Sequence, residues 1–282
     1  WNIEVLVNSA THADGVTVVA KLDWSDFTVS DGLDLPAFNS ELTDAVDLTL
    51  SGAAELNVLG GLVVLKVTSF DMQIGQLSGS DGTTTLTDAQ AMTVTLTDVD
   101  LWVGPGGSLN DGGTPLNVEV ATTFSDDTVQ PGDIGFSGFV GSLKLVTLKD
   151  TNGTTVTTDD KTYLATDVGG VNASLVGLSD VLSFNAWNIE VLVNKASDAT
   201  PAVLPNPAKL NWAGFTVSSG LALPTFNTKL NAGVDVSLSG AASLNVLSGL
   251  LVLKVTSFEM QLGTVSGTDT VTTVTNAQAM TV

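Results

Sequence analysis

The chain of 282 residues contains a long piece of itself twice. The octapeptide WNIEVLVN occupies residues 1–8 and returns unchanged at 187–194. KLDWSDFTVSDGLDLPAFN at 21–39 returns as KLNWAGFTVSSGLALPTFN at 209–227. From 21–94 to 209–282 the match has no gap, and about two-thirds of the positions are identical. The offset is 186 at the octapeptide and 188 afterwards, so two extra residues fall between 195 and 208. There KASDATPAVLPNPA replaces SATHADGVTVVA, which marks 195–208 as a variable, Pro-containing loop. Residues 1–186 thus make one full repeat unit with circularly permuted edges, and 187–282 the first half of the next. A parent polypeptide carrying further copies is expected. A period near 187 residues is too long for one solenoid coil or one propeller blade. It suits a continuous β rod or an array of domains.

The local pattern is that of strands. Val46, Leu48, Leu50, Ala54, Leu56 and Val58 share one parity, while Asp47, Thr49, Ser51, Glu55 and Asn57 fill the other. Such alternation marks a strand with one buried and one wet face. Residues 62–67 are apolar on both parities, as in a more deeply buried strand. Further strands are expected at 2–8, 16–22, 70–75, 92–103, 116–124, 134–148, 154–165 and 171–193. Gly104–Gly107, Asn110–Gly113 and Asp150–Gly153 are turn sequences, the last placed for a hairpin. Pro36, Pro115, Pro131 and Pro224 sit at strand ends, where a missing N–H costs little. No stretch has a helical period with caps. The expected fold is all-β and elongated, either a β-solenoid or a continuous β-sandwich rod with local hairpins. Tandem globular β-sandwich domains are the alternative.

Composition narrows the function. Nine Lys, no Arg and thirty acids give a formal charge of −21. That speaks against nucleic acid, whose phosphates demand cations, and against anionic membranes. Zero Cys removes disulfides and thiol chemistry together. No apolar run approaches a membrane-spanning helix. The single imidazole, His12, lies where the copies diverge, with no sign of a catalytic triad around it. Paired carboxylates are tested by the repeat itself. Asp23, Asp26, Asp31, Asp34, Glu41, Asp44, Glu55 and Asp88 lose their charge in the second copy, so no obligatory site in every copy uses them. Most of the acidity therefore serves solvation and mutual repulsion. No catalytic residue and no organic cofactor is expected. Calcium is the candidate cation, with Asp81, its mate Asp269, Asp111, Asp150 and Asn152 in loops that offer oxygen ligands. Asp and Asn also favour turns for purely local reasons. Trp1 and Trp187, and Trp24 and Trp212, are repeat mates assigned to core packing or packing between repeats, with a sugar-stacking platform as the alternative. An acidic site in the unrepeated stretch would draw on Asp126, Asp127 and Asp133.

The phrases KLDW, DLPAFN, VDLTLSGAAELNVLGGLVVLK, LTDVDLWVGPGGSLND and KTYLATDVGGVNASLVGL, in that order, resemble the repeat of very large acidic bacterial surface proteins of the giant-adhesin kind. The resemblance covers nearly the whole chain and implies an extracellular or cell-surface fibrous role. It carries over no active-site residue. The leading functional expectation is a structural segment of an extracellular filament, surface stalk or adhesin shaft, whose partners are other copies of the same repeat protein. A glycan- or surface-binding module is the second reading. A polysaccharide-active β-solenoid enzyme is the third.

Overall fold

The computed structural model describes residues 1–13, 19–110, 112, 124–200 and 206–282. Asp111, Pro115, residues 16–18 and nearly all of the strand expected at 116–124 lie outside the described residues, and residues 19–22 of the strand expected at 16–22 form no strand. The chain is all-β. Its strands are β1 (Glu4–Val7), β2 (Val46–Val58), β3 (Val63–Ser80), β4 (Thr85–Val103), β5 (Ser108–Asn110), β6 (Thr128–Gln130), β7 (Gly135–Asp150), β8 (Lys161–Val176), β9 (Leu182–Asp198), β10 (Thr216–Gly220), β11 (Val234–Val246), β12 (Leu251–Thr268) and β13 (Thr273–Thr281). No helix among the described residues is long and apolar enough to cross a membrane.

Eleven of these strands form one open antiparallel sheet. Its order is β1-β2-β3-β4-β7-β8-β9-β11-β12-β13, and β10 attaches to the far end of β3. β2–β3, β3–β4, β7–β8, β8–β9, β11–β12 and β12–β13 pair through local hairpins, as the turn sequences imply, while long connections join β1 to β2, β4 to β7 and β9 to β11. β5 and β6 form a small separate ribbon between β4 and β7.

The repeat maps directly onto this sheet. β1 and the second half of β9 are mates, as are β2 and β11, β3 and β12, and β4 and β13. Val7 opposes Leu48 and Glu4 opposes Ser51, and the mates Val193–Val236 and Glu190–Ser239 pair in the same register. One repeat thus adds six strands to a sheet that passes into the next repeat without interruption.

The strand bounds differ from several expectations. Strands 62–67 and 70–75 are one strand, β3, and the span 171–193 is the hairpin of β8 and β9. The segment 154–165 is only half strand, because Thr157–Asp159 forms a 3-10 turn and β8 begins at Lys161. The hairpin after Asp150 exists, with a longer loop than its turn sequence suggests. The loop at 195–208 starts late, since Lys195–Ser197 and Asp198 still pair with β8.

The two-face reading of β2 also changes. Thr49, on the polar parity, is fully buried, as is its mate Ser237, while Leu56 is half-exposed. The register shifts between Val46 and Leu48 and again between Gly52 and Ala54. The first adds a residue to β2 and exchanges its faces beyond it, and the second adds one to β3, so simple alternation fails across the pair. Leu50, Met72, Val94 and Leu145 consequently form a half-buried row across the opposite face of four strands.

A further bulge is reproduced with a change of charge. Asp88 has φ 48° and its mate Asn276 φ 47°. Ser78 Oγ accepts from the Asp88 N–H at 2.9 Å, and Ser266 Oγ accepts from the Asn276 N–H at 2.9 Å. Asp and Asn tolerate this left-handed backbone better than other residues with a Cβ. The position requires that tolerance, not a carboxylate. Asp88→Asn is expected to leave unfolding free energy within about 0.5 kcal/mol of the parent, and Asp88→Val to lower it by about 1–2 kcal/mol, read by chemical denaturation.

Candidate functional site

The site built most deliberately is the crossing of one repeat over another. After β9 the chain leaves its neighbours in the strand order, adds β10 to β3, and rejoins beside β9 only at β11. The described part of this connection, residues 206–233, lies as a strap across one sheet face. Its course follows from its bonds. Asn211 N–H donates to Asp81 Oδ2 at 2.8 Å, in the β3–β4 turn. β10 then pairs with β3, Thr216 opposite Ser80 and Gly220 opposite Leu77. Leu221 N–H donates to Gln76 O at 2.9 Å. On the way back Lys144 of β7 donates to Thr225 O at 2.7 Å, and Asn227 N–H donates to Asp167 Oδ2 of β8 at 2.9 Å. The strap so spans β3, β4, β7, β8 and β9, about 19 Å of sheet.

Every one of those strands belongs to the first repeat unit or to its junction with the second. The strap belongs to the second. Leu210, Trp212, Leu221, Phe226 and Leu230 of the strap pack against Leu77, Leu86, Val146, Leu148, Tyr163 and Leu192 of the sheet in one buried core. Burial of each large apolar side chain contributes about 1.5–3 kcal/mol. Apolar surroundings, and next the charges of Asp150 and Asp81, push the Tyr163 hydroxyl up to about 12.

Both feet of the strap are held by one side chain. Asn194, fully buried on β9, donates to Leu210 O at 2.8 Å and to Asn231 O at 2.9 Å. Its Oδ1 accepts from Trp212 Nε1 at 3.0 Å. Both amide hydrogens and the carbonyl are therefore used, which makes a buried amide affordable in an apolar core. The first copy repeats the clamp. Asn8 donates to Leu22 O and Thr43 O, each at 2.8 Å, and accepts from Trp24 Nε1 at 3.3 Å. The pair Lys21–Asp47, at 2.7 Å, also has its mate in Lys209–Asp235. Nothing in the octapeptide marked Asn8 and Asn194 beyond their identity; a polar residue closing an apolar strand was the available signal.

The tryptophans divide accordingly. Trp212 is buried, stacked edge-on against Phe226 with ring centres 5.5 Å apart. Trp24 keeps the same companions, Phe27 at 5.4 Å and Phe38 at 4.9 Å, yet is half-exposed. Trp1 packs on Phe124 at 4.6 Å, whereas its mate Trp187 is exposed. Trp102, not singled out by the repeat, is the most completely buried of the five, and its Nε1 donates to Gly104 O at 2.7 Å.

The candidate cation ligands serve turns. Asp81 Oδ1 accepts from the N–H groups of Thr83 at 2.9 Å and Thr84 at 2.7 Å. Asp269 Oδ1 accepts from Val271 at 2.7 Å and Thr272 at 2.6 Å. Burial pushes the Asp81 carboxyl up, but the amides of Thr84, Asn211 and Thr83 outweigh it and hold it below the usual carboxylate value. The amides of Thr272 and Val271 lower Asp269 likewise. Asp150 accepts from Asn152 N–H at 2.9 Å, and the Asn152 amide donates to Asp159 O at 2.7 Å. These carboxylate oxygens face N–H donors. Among the described residues no three or more His, Cys, Asp or Glu side chains converge, so Asp126, Asp127 and Asp133 form no such group. Asp126 and Asp133 are exposed. Asp127 is buried, and its backbone oxygen accepts from buried Lys66, whose ammonium lies 4.7 Å from the Phe124 ring centre. His12 is exposed. A cleft of about 900 Å³ beside the strap foot is lined by residues such as Asn194, Lys209, Asp235 and Gln278, with no aromatic side chain.

Comparison with family models, with curated proteins and with solved structures finds no match.

Asn194→Leu leaves the indole N–H and two strap carbonyls without their partner. It is expected to cost about 3 kcal/mol in urea unfolding, with a red shift of tryptophan emission. Asn8→Leu, under a half-exposed strap, is expected to cost less. Asp81 also predicts a pH dependence. Its folded-state value is depressed, so its contribution is complete above the unfolded value of 3.8 and is lost as pH falls through the lower folded one. Between about pH 5 and pH 2 the parent is expected to lose more unfolding free energy than Asp81→Asn.

Proposed function

We propose that this chain is a structural segment of an extracellular filament or surface stalk. In this reading the repeats join through a sheet that never ends at a repeat boundary, and each repeat roofs its neighbour. The observation that carries the proposal is the shared register of β1 on β2 and of β9 on β11. The same strand that opens one copy closes the sheet of the copy before it. Such a join has no built-in stop, so adding copies lengthens the object along the direction of strand stacking.

Other observations agree. The loss of acids between copies leaves the turn and bulge geometry intact, as at Asp88 and Asn276. That is the behaviour of a scaffold. A net charge of −21 keeps neighbouring rods apart in water. The aromatic group around Trp24 has a buried twin around Trp212, which favours packing over a sugar platform. Cell-surface placement and the absence of catalysis belong to the same proposal.

The proposal predicts a dimension. Six strands at about 4.8 Å advance the sheet by about 29 Å per repeat. Chains carrying three, four and five tandem copies, imaged by electron microscopy, are expected to be rods of constant width that lengthen by about 29 Å per copy. Beads joined by gaps, or a length that does not grow with copy number, would contradict the rod.

A further inference from the structure

The chain contains both halves of a second strap crossing, unjoined. In the first copy the end of β3, Leu77–Ser80, is paired on one side with β4 and on the other with β10. Among the described residues the equivalent end of β12, Val265–Thr268, pairs with β13 alone, since β11 reaches only to Gly263, and its other edge has no strand beside it. The side chains there are uncovered too. Leu77 and Leu86 are each 1% exposed, but their mates Val265 and Val274 are 52% and 41% exposed. A Cβ built on Gly79 would lie 2.5 Å from Phe215 of the strap, whereas one on the mate Gly267 meets nothing within 4 Å.

The missing cover has its own twin at the other end of the chain. Residues 28–32, TVSDG, match TVSSG of β10 but form no strand. Phe27, Val29, Leu33, Leu35 and Phe38 around them are exposed. Asp269 holds its turn amides as Asp81 does, and its Oδ2 corresponds to the oxygen that in Asp81 receives the strap.

We propose that the open edge of β12, with the apolar face beside it, is a docking site for residues 27–33 of a second copy of this chain. Thr28 then opposes Thr268, Val29 opposes Gly267 and Gly32 opposes Val265, as Thr216, Val217 and Gly220 oppose Ser80, Gly79 and Leu77. Phe27 covers Gly267, the Leu33 N–H meets Thr264 O, and the Asp23 N–H meets Asp269 Oδ2. The contact is strand addition to a free edge, and the apolar side chains beside it set the register. It is heterologous, because donor and acceptor are different surfaces, so it does not close on itself. Asp23, Asp26, Asp31 and Asp34 add negative charge to the donor, so salt strengthens the association by screening.

Sedimentation velocity of the full chain in about 0.5 M salt tests this. The parent is expected to form oligomers that grow with concentration. Gly267→Val blocks the acceptor in open space, and Phe27→Ser weakens the donor. Circular dichroism and thermal unfolding confirm that each variant is folded. Each alone is expected to self-associate at least about tenfold more weakly than the parent. Mixed in equal amounts, the two retain one intact donor and one intact acceptor, and are expected to give a dimer that grows no further. A parent that stays monomeric at high concentration overturns the proposal. So do variants that associate like the parent, or a mixture that stays monomeric. None of these results bears on the length of rods whose copies share one chain, so the filament reading stands or falls separately.

Discussion

The structure depends on the buried amide of Asn194. An open antiparallel sheet has two faces to cover, and the first repeat leaves the surface bearing Leu77, Leu148, Tyr163 and Leu192 to be covered by another segment. The strap that does so lies beyond the repeat boundary, and its two feet would drift apart without a common anchor. Asn194 supplies one: two carbonyls and an indole N–H meet a single side chain. A longer or shorter polar residue satisfies one foot and orphans the other, and an apolar one orphans both. With the feet fixed, Trp212, Phe226 and Leu221 fall over the sheet, and β10 reaches the free end of β3.

This arrangement makes neighbouring repeats interdependent. Sheet continuity alone joins them by backbone hydrogen bonds, which are individually weak against water. The strap adds a shared apolar core that neither copy has by itself. Copies built this way have no natural interface plane at which to part. The exposed residues around Phe27 and around Val265 are the repeat mates of surfaces that meet in the strap crossing.

Much of this was legible in the sequence. Length, gapless repetition and strand periodicity led to an all-β repeat with local hairpins. The tryptophan mates were assigned to packing between repeats, and Trp212 does pack there. Three things were hidden, for physical reasons. The faces of β2 depart from simple alternation because the bulge between Val46 and Leu48 exchanges them, and such a bulge has no fixed sequence mark. The strap was invisible because its apolar residues, spaced irregularly among Pro and Gly, follow neither period two nor 3.6. Lys66, inside the span 62–67 that reads as a buried apolar strand, is buried with its charge met by Asp127 O and the Phe124 ring, a pairing that no local pattern announces. Loop carboxylates such as Asp81 suggested calcium because a turn acceptor and a cation ligand use the same residue types. In the folded chain Asp81 accepts from the amides of Thr83, Thr84 and Asn211.

The central claim is that the strap of one copy lies on the sheet of the copy before it. The chain has no cysteine, so engineered pairs report without interference. Thr216 and Ser80 are register partners across β10 and β3. Antiparallel partners lie about 4.5–5.5 Å apart at Cα, within disulfide reach. Thr216→Cys with Ser80→Cys is predicted to oxidise to an intramolecular disulfide in the native protein. Thr216→Cys with Thr268→Cys, the equivalent position in the strap's own copy, is predicted to remain reduced within the monomer. The opposite outcome, closure to Thr268→Cys and none to Ser80→Cys, would mean that each copy covers itself, and the account would be wrong.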